Sequence, residues 1–366
     1  MTIMETKQTV TAERVRALAI AARAAVGAPA RRRMVDAAGA LTAPGETAEA
    51  EAEAETDFEL FHFGLSICSN KVRTVLGEKR VAWRSNELDP PRHENYHADY
   101  VRLRLVSAAA RAVGPATGWQ GGSSVAETGF DALVVPTLVD HRQGSVIADS
   151  REICLHLART VEGGTDLLPA DLEAEILAEL DAVDRTPHVA LLYGADPDGD
   201  RRPLFFRLGF RGEHRRKVTA VARAWDSVRG QDPALDAAYG AKIAKETAGG
   251  AFVADPQRMR AAVADTRAIV ARFAARLGES GGPWLFGERF TLADAVWSVS
   301  LFRLQFLGFE RLWQDDRAVM AYTHRAFARP AMNAAVARWP SQFWSRPVAP
   351  WMRRPTLVDR LMALGS

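Results

Sequence analysis

Cysteine is scarce in this sequence, which has two cysteines in 366 residues. Two thiols cannot build a disulfide framework, and they are too few to complete a four-cysteine zinc ribbon. Proteins of a reducing compartment use cysteine in this way. We therefore expect a cytoplasmic protein in which a free cysteine is retained either for packing or for chemistry.

An excess of one charge is also missing, because 47 Lys and Arg residues are balanced by 45 Asp and Glu residues, giving a formal net charge of +2. This balance creates no field that would attract nucleic acid or an anionic membrane surface. No apolar run reaches the roughly 18 to 20 residues of a membrane span, and the first residues lack the layout of a secretory signal. We expect neither nucleic acid nor a membrane as a partner.

Aromatic residues are absent from positions 1–57, which are rich in Ala, Arg and Glu. Positions 11–25 have the propensity for a lone amphipathic helix, and the alternating Ala-Glu tract over 48–56 is typical of a linker. This composition predicts a low-complexity, flexible extension over 1–57 that carries no catalytic residue.

The pattern changes at Phe58, where alternating apolar residues begin. Periodicity predicts a strand, a turn, a helix and a second strand over 58–63, 66–69, 70–79 and 81–88. A long polar insertion follows around 89–130. The chain then predicts a strand over 133–140 that contains Pro136, a hairpin, a short strand over 145–148 and a helix capped by Asp149 and Ser150. The order is β-α-β followed by β-β-α over 58–165.

Helical periodicity replaces strand alternation over 166–345, and a tail follows over 346–366. The predicted helices cover 172–183, 212–229, 233–247, 256–277, 292–309 and 318–338. Thr291 and Asp294 form a capping-box pattern at the start of the fifth of these helices. The sequence thus divides into an extension, an α/β domain and an all-helical domain.

Four motifs in this order resemble the glutathione S-transferase superfamily, and within it the zeta class. They are Leu65 to Arg73 with its Ser-x-Cys-Ser turn, Val135 to Leu138, Asp149 to Ile153, and Gly287 to Asp294. The resemblance spans roughly positions 58–339 and implies an α/β plus all-α fold class. A thioredoxin-like N-terminal domain over 58–165 would precede an all-helical substrate-binding domain over 166–345. The chain departs from the class at Ile67, where zeta-class isomerases carry Ser, and in its long extension.

The same resemblance implies that glutathione is the co-substrate and that no metal is required. The residues matching the family's glutathione site are Ser66, Ser69, Val135, Pro136, Asp149 and Ser150, and the matching catalytic pair is Cys68 and Ser66. Physical chemistry supports part of this assignment independently. A helix start after the turn offers unpaired N–H donors and a positive dipole end that stabilise a thiolate, and Lys71 and Arg73 add positive charge.

The reaction implied by the resemblance is reductive replacement of aryl chlorine by hydrogen in chlorinated hydroquinones. One glutathione displaces chloride, the Cys68 thiolate then takes the glutathionyl sulfur, and a second glutathione resolves the mixed disulfide. Three alternatives remain open. They are an isomerase of the maleylacetoacetate type, an aryl-ether-cleaving transferase, and a non-catalytic scaffold with the same fold. Members of the family often form homodimers, so a second copy is an expected partner beside glutathione and a small aromatic substrate.

Several further patterns compete with these assignments. His93 to His97 matches the zinc-protease pattern H-E-x-x-H, but Pro90-Pro91 and polar flanks argue against the buried helix that it requires. Cys154 lies in an apolar helical stretch and is expected in the core. Arg201, Arg202 and Arg211, near Phe205, Phe206 and Phe210, are equally compatible with an acceptor pocket and with a solvated surface.

Overall fold

A computed structural model describes residues 10–28, 31–41 and 56–342 of the chain. The expected tail over 346–366, and the Ala-Glu tract except Thr56, lie outside the described residues. Within the described residues, no helix combines the length and apolar character needed to cross a membrane.

A five-stranded mixed sheet forms the centre of the N-terminal half. Its strands are β1 (Arg32–Val35), β2 (Phe58–His62), β3 (Trp83–Glu87), β4 (Thr137–Asp140) and β5 (Ser145–Ile147). The spatial order is β1-β3-β2-β4-β5, with β2 and β3 parallel and the other neighbours antiparallel. The parallel pair is joined by the expected crossover helix. This confirms the predicted thioredoxin-like arrangement.

The N-terminal extension differs from the expected flexible segment. Helix α1 (Ala12–Ala25) buries Val15, Ala19 and Ala22 against the rest of the domain, and β1 pairs with β3 in register. Alanine and valine on one face of a helix bury little area each, but they allow close packing where aromatic side chains would not fit. The absence of aromatics therefore did not mean the absence of a core contact, and the folded unit begins before residue 58.

The crossover helix α2 (Ile67–Glu78) begins three residues before the predicted start at residue 70. Ser66 is its N-cap, and the Ser66 hydroxyl accepts a hydrogen bond from the Ser69 amide at 3.3 Å. Ser69, directly before the predicted start, is of a residue type that can also cap a helix, but Ser66 is the cap in the structure. Cys68 is consequently the second residue of the helix, within its first turn.

The insertion over 89–130 holds two short 3-10 turns and three short helices. These helices are α3 (Ala98–Leu105), α4 (Ala108–Ala112) and α5 (Val125–Thr128). The Val135–Pro136 bond that follows is cis, as the family resemblance implied. The ladder between β2 and β4 begins at Thr137, so Pro136 precedes the strand instead of interrupting it. Helix α6 (Ser150–Thr160) completes this half with Asp149 as its N-cap.

The C-terminal half is all-helical, as predicted, with two short helices that the periodicity did not indicate. The helices are α7 (Glu173–Asp184), α8 (His188–Tyr193), α9 (Leu204–Gly209), α10 (Glu213–Asp226), α11 (Pro233–Ala254), α12 (Pro256–Glu279), α13 (Leu292–Phe306) and α14 (Arg317–Ala328). Pro330 ends the last predicted helix early because proline cannot continue the hydrogen-bond ladder, and a π turn over Asn333–Ala337 follows.

Helix α13 is the central element of this half. All fifteen of its residues are buried, and it packs against α2, α7 and α14. Its start is the predicted capping box, in which the Asp294 carboxylate accepts from the Thr291 amide at 2.9 Å. Because α13 contacts α2 directly, a residue near its C-terminal end can reach the turn that carries Cys68.

Candidate active site

A cavity of about 630 Å³ is lined by residues of both halves of the molecule. The N-terminal half contributes the turn before α2, the loop before β4, the start of α6 and parts of the insertion. The C-terminal half contributes residues of α8, α9, α10, α11 and α13. A space of this size accommodates a small peptide and a single aromatic ring together.

Cys68 lies in the wall of this cavity with 9% of its surface exposed. Its thiol donates to the Ser123 hydroxyl at 3.3 Å. Ser66 lines the same cavity two residues earlier and accepts from the Ser69 amide as the helix cap. The two residues predicted to be catalytic are therefore brought together at one helix start.

Ser69 is placed differently from the sequence expectation. It is fully buried and is absent from the cavity wall, and its hydroxyl accepts from the Phe63 amide at 3.2 Å. The physical reason is that helix α2 starts at Ile67, so its first turn rotates Ser69 towards the preceding strand. Ser69 supports the turn from behind, while Ser66 faces the cavity.

The two cations expected beside the turn have different surroundings. Lys71 pairs with Asp184 at 3.1 Å. Burial by itself lowers the pKa of Lys71, but attraction to Asp184 and Cys68 outweighs it and raises the pKa overall. Arg73 instead points to the opposite side, where it donates to Ala335 O at 2.8 Å and lies over the Trp339 ring. Of these two cations, Lys71 is the one that is electrostatically coupled to the thiol.

Arg303 is a cavity residue that the sequence pattern did not single out. It lies near the end of α13 and donates to the carbonyl of Leu65, directly before the turn. Burial lowers the pKa of Arg303 to about 10, and the neighbouring Cys68 opposes that shift. Arginine is rarely buried without a partner, so an arginine within an apolar helix indicates a specific contact. Helical periodicity alone predicts only that position 303 lies in the core.

The cis-proline loop is the second wall of the cavity. Val135 and Pro136 both line it, and Val135 lies outside the strand ladder. Arg104 of α3 holds this loop by donating to Pro136 O at 2.6 Å and to Ala148 O at 3.0 Å. Arg104 was not expected from the sequence, because its partners are 32 and 44 residues away.

The start of α6 is the third wall. Asp149 and Ser150, two of the predicted site residues, line the cavity here. The Asp149 carboxylate accepts from the amides of Arg151 and Glu152 at 2.7 and 3.1 Å, so it acts as the helix cap. The positive end of helix α6 suits a ligand carboxylate, and the Asp149 carboxylate beside it suits a ligand ammonium group. Six of the seven predicted site residues thus line one cavity, and Ser69 is the exception.

Aromatic side chains form the opposite wall. Tyr193 meets Phe210 edge to face at 5.1 Å and His214 at 5.0 Å, and Trp119 meets His214 at 5.3 Å. Phe206 also lines the cavity. Such an apolar, edge-to-face wall is suited to a flat aromatic ring.

The arginines considered for an acceptor pocket are separated from this wall. Arg202 donates to Asp200 and to Leu192 O and lies beside a different, small pocket, which Arg201 also lines. Neither of them, nor Arg211, lines the large cavity. The side chain of Phe205 lies outside the described residues.

A network of buried ion pairs closes the far end of the cavity. Lys242 contacts Asp131 and Glu246, each at 2.8 Å, and Lys245 contacts Asp131 at 3.1 Å. Burial raises the pKa of Glu246, but Lys242 and Lys217 outweigh it and hold that pKa well below its usual range. These charges compensate one another in part and give the wall a polar end.

The H-E-x-x-H pattern does not form its zinc-binding helix. His93 has a left-handed backbone with φ of 63° and stacks on Tyr96, while His97 caps α3. Glu94 pairs with Arg31 from the N-terminal segment. Across residues 10–28, 31–41 and 56–342, no cluster of three or more His, Cys, Asp or Glu side chains is arranged to hold a metal ion.

The fold and cavity define a thioredoxin-like domain with a thiol at a helix start and a helical domain that covers it. Family models agree with this class: the glutathione S-transferase N-terminal domain matches residues 65–160, and the C-terminal domain matches residues 256–325. The chain belongs to the glutathione S-transferase family.

Particular relatives are more informative than the family. The 2,5-dichlorohydroquinone reductive dechlorinase of Sphingobium indicum is 50% identical over 295 residues, covering 79% of this chain and 85% of that protein. The tetrachloro-p-hydroquinone reductive dehalogenase of Sphingobium chlorophenolicum is 24% identical, covering 76% of this chain and 95% of that protein. Among solved structures, the beta-etherase LigF from Sphingobium sp. strain SYK-6 matches with a TM-score of 0.48 and 18% identity, covering 77% of this chain and all of that one.

Proposed function

We propose that this protein is a glutathione-dependent reductive dehalogenase that replaces chlorine by hydrogen on chlorinated hydroquinones. The observation that carries the proposal is a cysteine at a helix start, in a cavity that also offers an aromatic wall. The 50% identity to a reductive dechlorinase over most of both chains supports the same substrate class.

Glutathione is held along the three walls of the N-terminal half. Its sulfur lies at Ser66 and Cys68, and its cysteinyl backbone lies along Val135 before the cis-Pro136 bond. Its γ-glutamyl end lies at Asp149 and Ser150, where the start of α6 favours the carboxylate. The fit is supported by the Val135 backbone, which lies outside the strand ladder and can pair with a peptide. Ser69 takes part only by supporting the turn.

The reaction proceeds in three balanced steps. The glutathione thiolate adds to the keto tautomer of the chlorohydroquinone, and chloride leaves with the bonding electrons. The Cys68 thiolate then attacks the sulfur of the conjugate, the carbon–sulfur bond breaks, and the ring carbon takes a proton to give the dechlorinated hydroquinone. A second glutathione thiolate attacks the mixed disulfide, releasing glutathione disulfide and the Cys68 thiolate. Two thiols are oxidised for each chlorine replaced.

The local electrostatics favour this use of Cys68. The first turn of α2 presents unpaired backbone N–H groups, and Lys71 and Arg303 both interact with the thiol. The leaving aryl group is aromatic and flat, and Tyr193 and Phe210 offer it an edge-to-face wall.

The test is the variant Cys68→Ser, assayed with glutathione and a panel of chlorinated hydroquinones. We expect chloride release to continue and the glutathionyl hydroquinone to accumulate, with no glutathione disulfide. Cys154→Ala is the matched control, because Cys154 is buried away from the cavity wall, and it should retain turnover. Full turnover of Cys68→Ser to dechlorinated product would overturn the role of Cys68. Isomerisation of maleylacetoacetate by Cys68→Ser at the parent rate would favour an isomerase.

Two further proposals accompany this function. The free thiols suit a reducing cytoplasm, which fractionation would test. A homodimer, as in many members of the family, stays a prediction for which sedimentation in solution is the measurement.

A further inference from the structure

Ser123 is the side chain of the insertion that touches the proposed nucleophile. It is an exposed residue that lines the cavity, and its Oγ is 3.3 Å from the Cys68 sulfur, although the residues are 55 positions apart. A hydroxyl accepts from a thiol, and it donates once that thiol has lost its proton, because a thiolate has only acceptor capacity. The contact seen with the thiol thus becomes a charge-assisted hydrogen bond with the thiolate.

The loop that carries Ser123 is held rigidly against α8. The Gly121 carbonyl accepts from the amides of Val189 and Ala190 at 2.9 and 3.0 Å. Gly121 has a φ of +86°, and a Cβ atom there would lie 2.8 Å from the Ala190 side chain. Only glycine fits this approach, so the position of Ser123 is set by backbone contacts two residues away.

Arg303 supplies the positive charge on the other side. Its guanidinium donates to the Leu65 carbonyl, and none of the carboxylates in the described residues forms an ion pair with it. Lys71, in contrast, is already paired with Asp184. Arg303 is therefore the cation near Cys68 whose charge is not compensated by a neighbouring acid.

Two carboxylates lie on the same side of the cavity, Asp184 paired with Lys71 and Asp149 bound to the amides of Arg151 and Glu152, and two further titratable groups there are neutral. Burial, with repulsion from Lys71 and Arg303, holds the pKa of His188 on α8 well below its usual range. Burial also raises the pKa of Cys154 on α6, so that thiol stays protonated. Neither group competes with Arg303 and Ser123 for the charge on Cys68.

We propose that Ser123 is a catalytic residue that donates a hydrogen bond to the Cys68 thiolate, and that Arg303 is a positioning and charge-stabilising residue for the same sulfur. This rests on the proposed function, in which Cys68 attacks the conjugate and later leaves from a mixed disulfide. Both steps place a negative charge on the same sulfur atom, first as the nucleophile and then as the leaving group. The insertion over 89–130 thereby contributes directly to the thiol chemistry.

The first test measures the thiol without any chlorinated substrate. In a Cys154→Ala background, the rate of Cys68 alkylation by iodoacetamide is followed from pH 5 to pH 10. Ser123→Ala should shift the titration midpoint upward by about one pH unit, since a hydrogen bond to a charged group is worth that much. Arg303→Met should shift it in the same direction, and Arg303→Lys should restore part of the shift.

Matched controls separate this role from a change in folding. Ser124→Ala removes the neighbouring hydroxyl, which does not line the cavity, and should leave the midpoint unchanged. Ser123→Thr keeps the hydroxyl and should restore the midpoint. A midpoint in Ser123→Ala equal to that of the parent protein would overturn the proposal for Ser123, and an unchanged midpoint in Arg303→Met would do so for Arg303.

The second test addresses the leaving step. Protein carrying a Cys68–glutathione mixed disulfide is mixed with glutathione, and release of glutathione disulfide is followed. Ser123→Ala should slow release by about threefold, because the transition state carries only part of the charge that the departing Cys68 sulfur finally bears. An unchanged rate would contradict the proposal. Failure of every variant, including the parent, to dechlorinate any hydroquinone would instead contradict the proposed function and leave the alkylation result valid.

Discussion

Helix α1 gives the sharpest prediction, because its Arg23 guanidinium pairs with a carboxylate that is fully buried in the sheet. Arg23 contacts Glu59 through Nε at 2.8 Å and Nη2 at 3.2 Å, and Glu59 also accepts from Asn86 at 2.7 Å and pairs with His141 at 3.1 Å. The Glu59 side chain is 0% exposed, and that of Arg23 is 16% exposed. The change Arg23→Ala therefore leaves a buried carboxylate with two partners instead of three.

The expected loss in the free energy of unfolding is about 3 kcal/mol at pH 7. Breaking a buried ion pair by removing one partner costs roughly 3 to 5 kcal/mol, and the lower end applies because Asn86 and His141 stay in place. Burial by itself raises the pKa of Glu59, but His141 and Arg23 outweigh it, so the pKa is lowered overall. Because the folded-state pKa is lowered, ionised Glu59 stabilises the folded protein at pH values above its unfolded-state pKa near 4.3. This stabilisation is lost as the pH falls through the folded-state pKa.

Urea unfolding at pH 7 and pH 5 measures both effects. Arg23→Ala should lose about 3 kcal/mol at pH 7, and the loss should shrink towards acid pH, because Glu59 in the variant becomes protonated more easily. Arg16→Ala is the control on the exposed face of the same helix and should change stability by under about 0.5 kcal/mol. If the two variants were equally stable at pH 7, the docking of α1 on the sheet would be refuted.

Three further predictions concern other parts of the structure. Cys154 should resist Ellman's reagent in the native protein and react only after unfolding, because burial raises its pKa, whereas Cys68 should react in both states. Arg31→Ala should raise KM for the aromatic substrate roughly threefold, because the Arg31–Glu94 pair holds the turn that forms part of the cavity wall. The effect is small because such a part-buried pair is worth under about 1 kcal/mol. An unchanged KM would contradict that role. Burial raises the pKa of Asp294 to about 6, so the fold favours the protonated carboxyl. The contribution of Asp294 to the free energy of unfolding should therefore be full below about pH 4 and fall as the pH rises through 6. Asp294→Asn should abolish that pH dependence in urea unfolding, and a persisting slope would contradict the assignment.

Local patterns allowed accurate prediction of much of the fold. The caps at Asp149 and Thr291 act over two or three residues, so they are readable from the chain. Strand alternation and helical spacing indicated the β-α-β and β-β-α order for the same reason. The start of α2 was misplaced because Ser66 and Ser69 are both cap-forming residues, and tertiary packing selected Ser66.

The N-terminal segment shows where local reasoning failed. An Ala-rich, Arg-rich stretch without aromatics lacks the usual signature of a core element, but its small residues pack closely and Arg23 reaches Glu59 across 36 positions. The pairing of β1 with β3 likewise requires the side of β3 that faces away from β2 to be free, which only the folded sheet decides.

The site divides in the same way. The sequence by itself indicated a thiol near a helix start and the cap of α6, because each is encoded by neighbouring residues, whereas the cis-proline loop was implied by the family resemblance. Only the tertiary structure brought Ser123 and Arg303 to the turn that carries Cys68. Ser123 is 55 positions from Cys68, and Arg303 is 238 positions from Leu65, whose carbonyl it contacts. Contacts over such separations arise from the packing of α13 on α2 and of the insertion on α8, which no local pattern records.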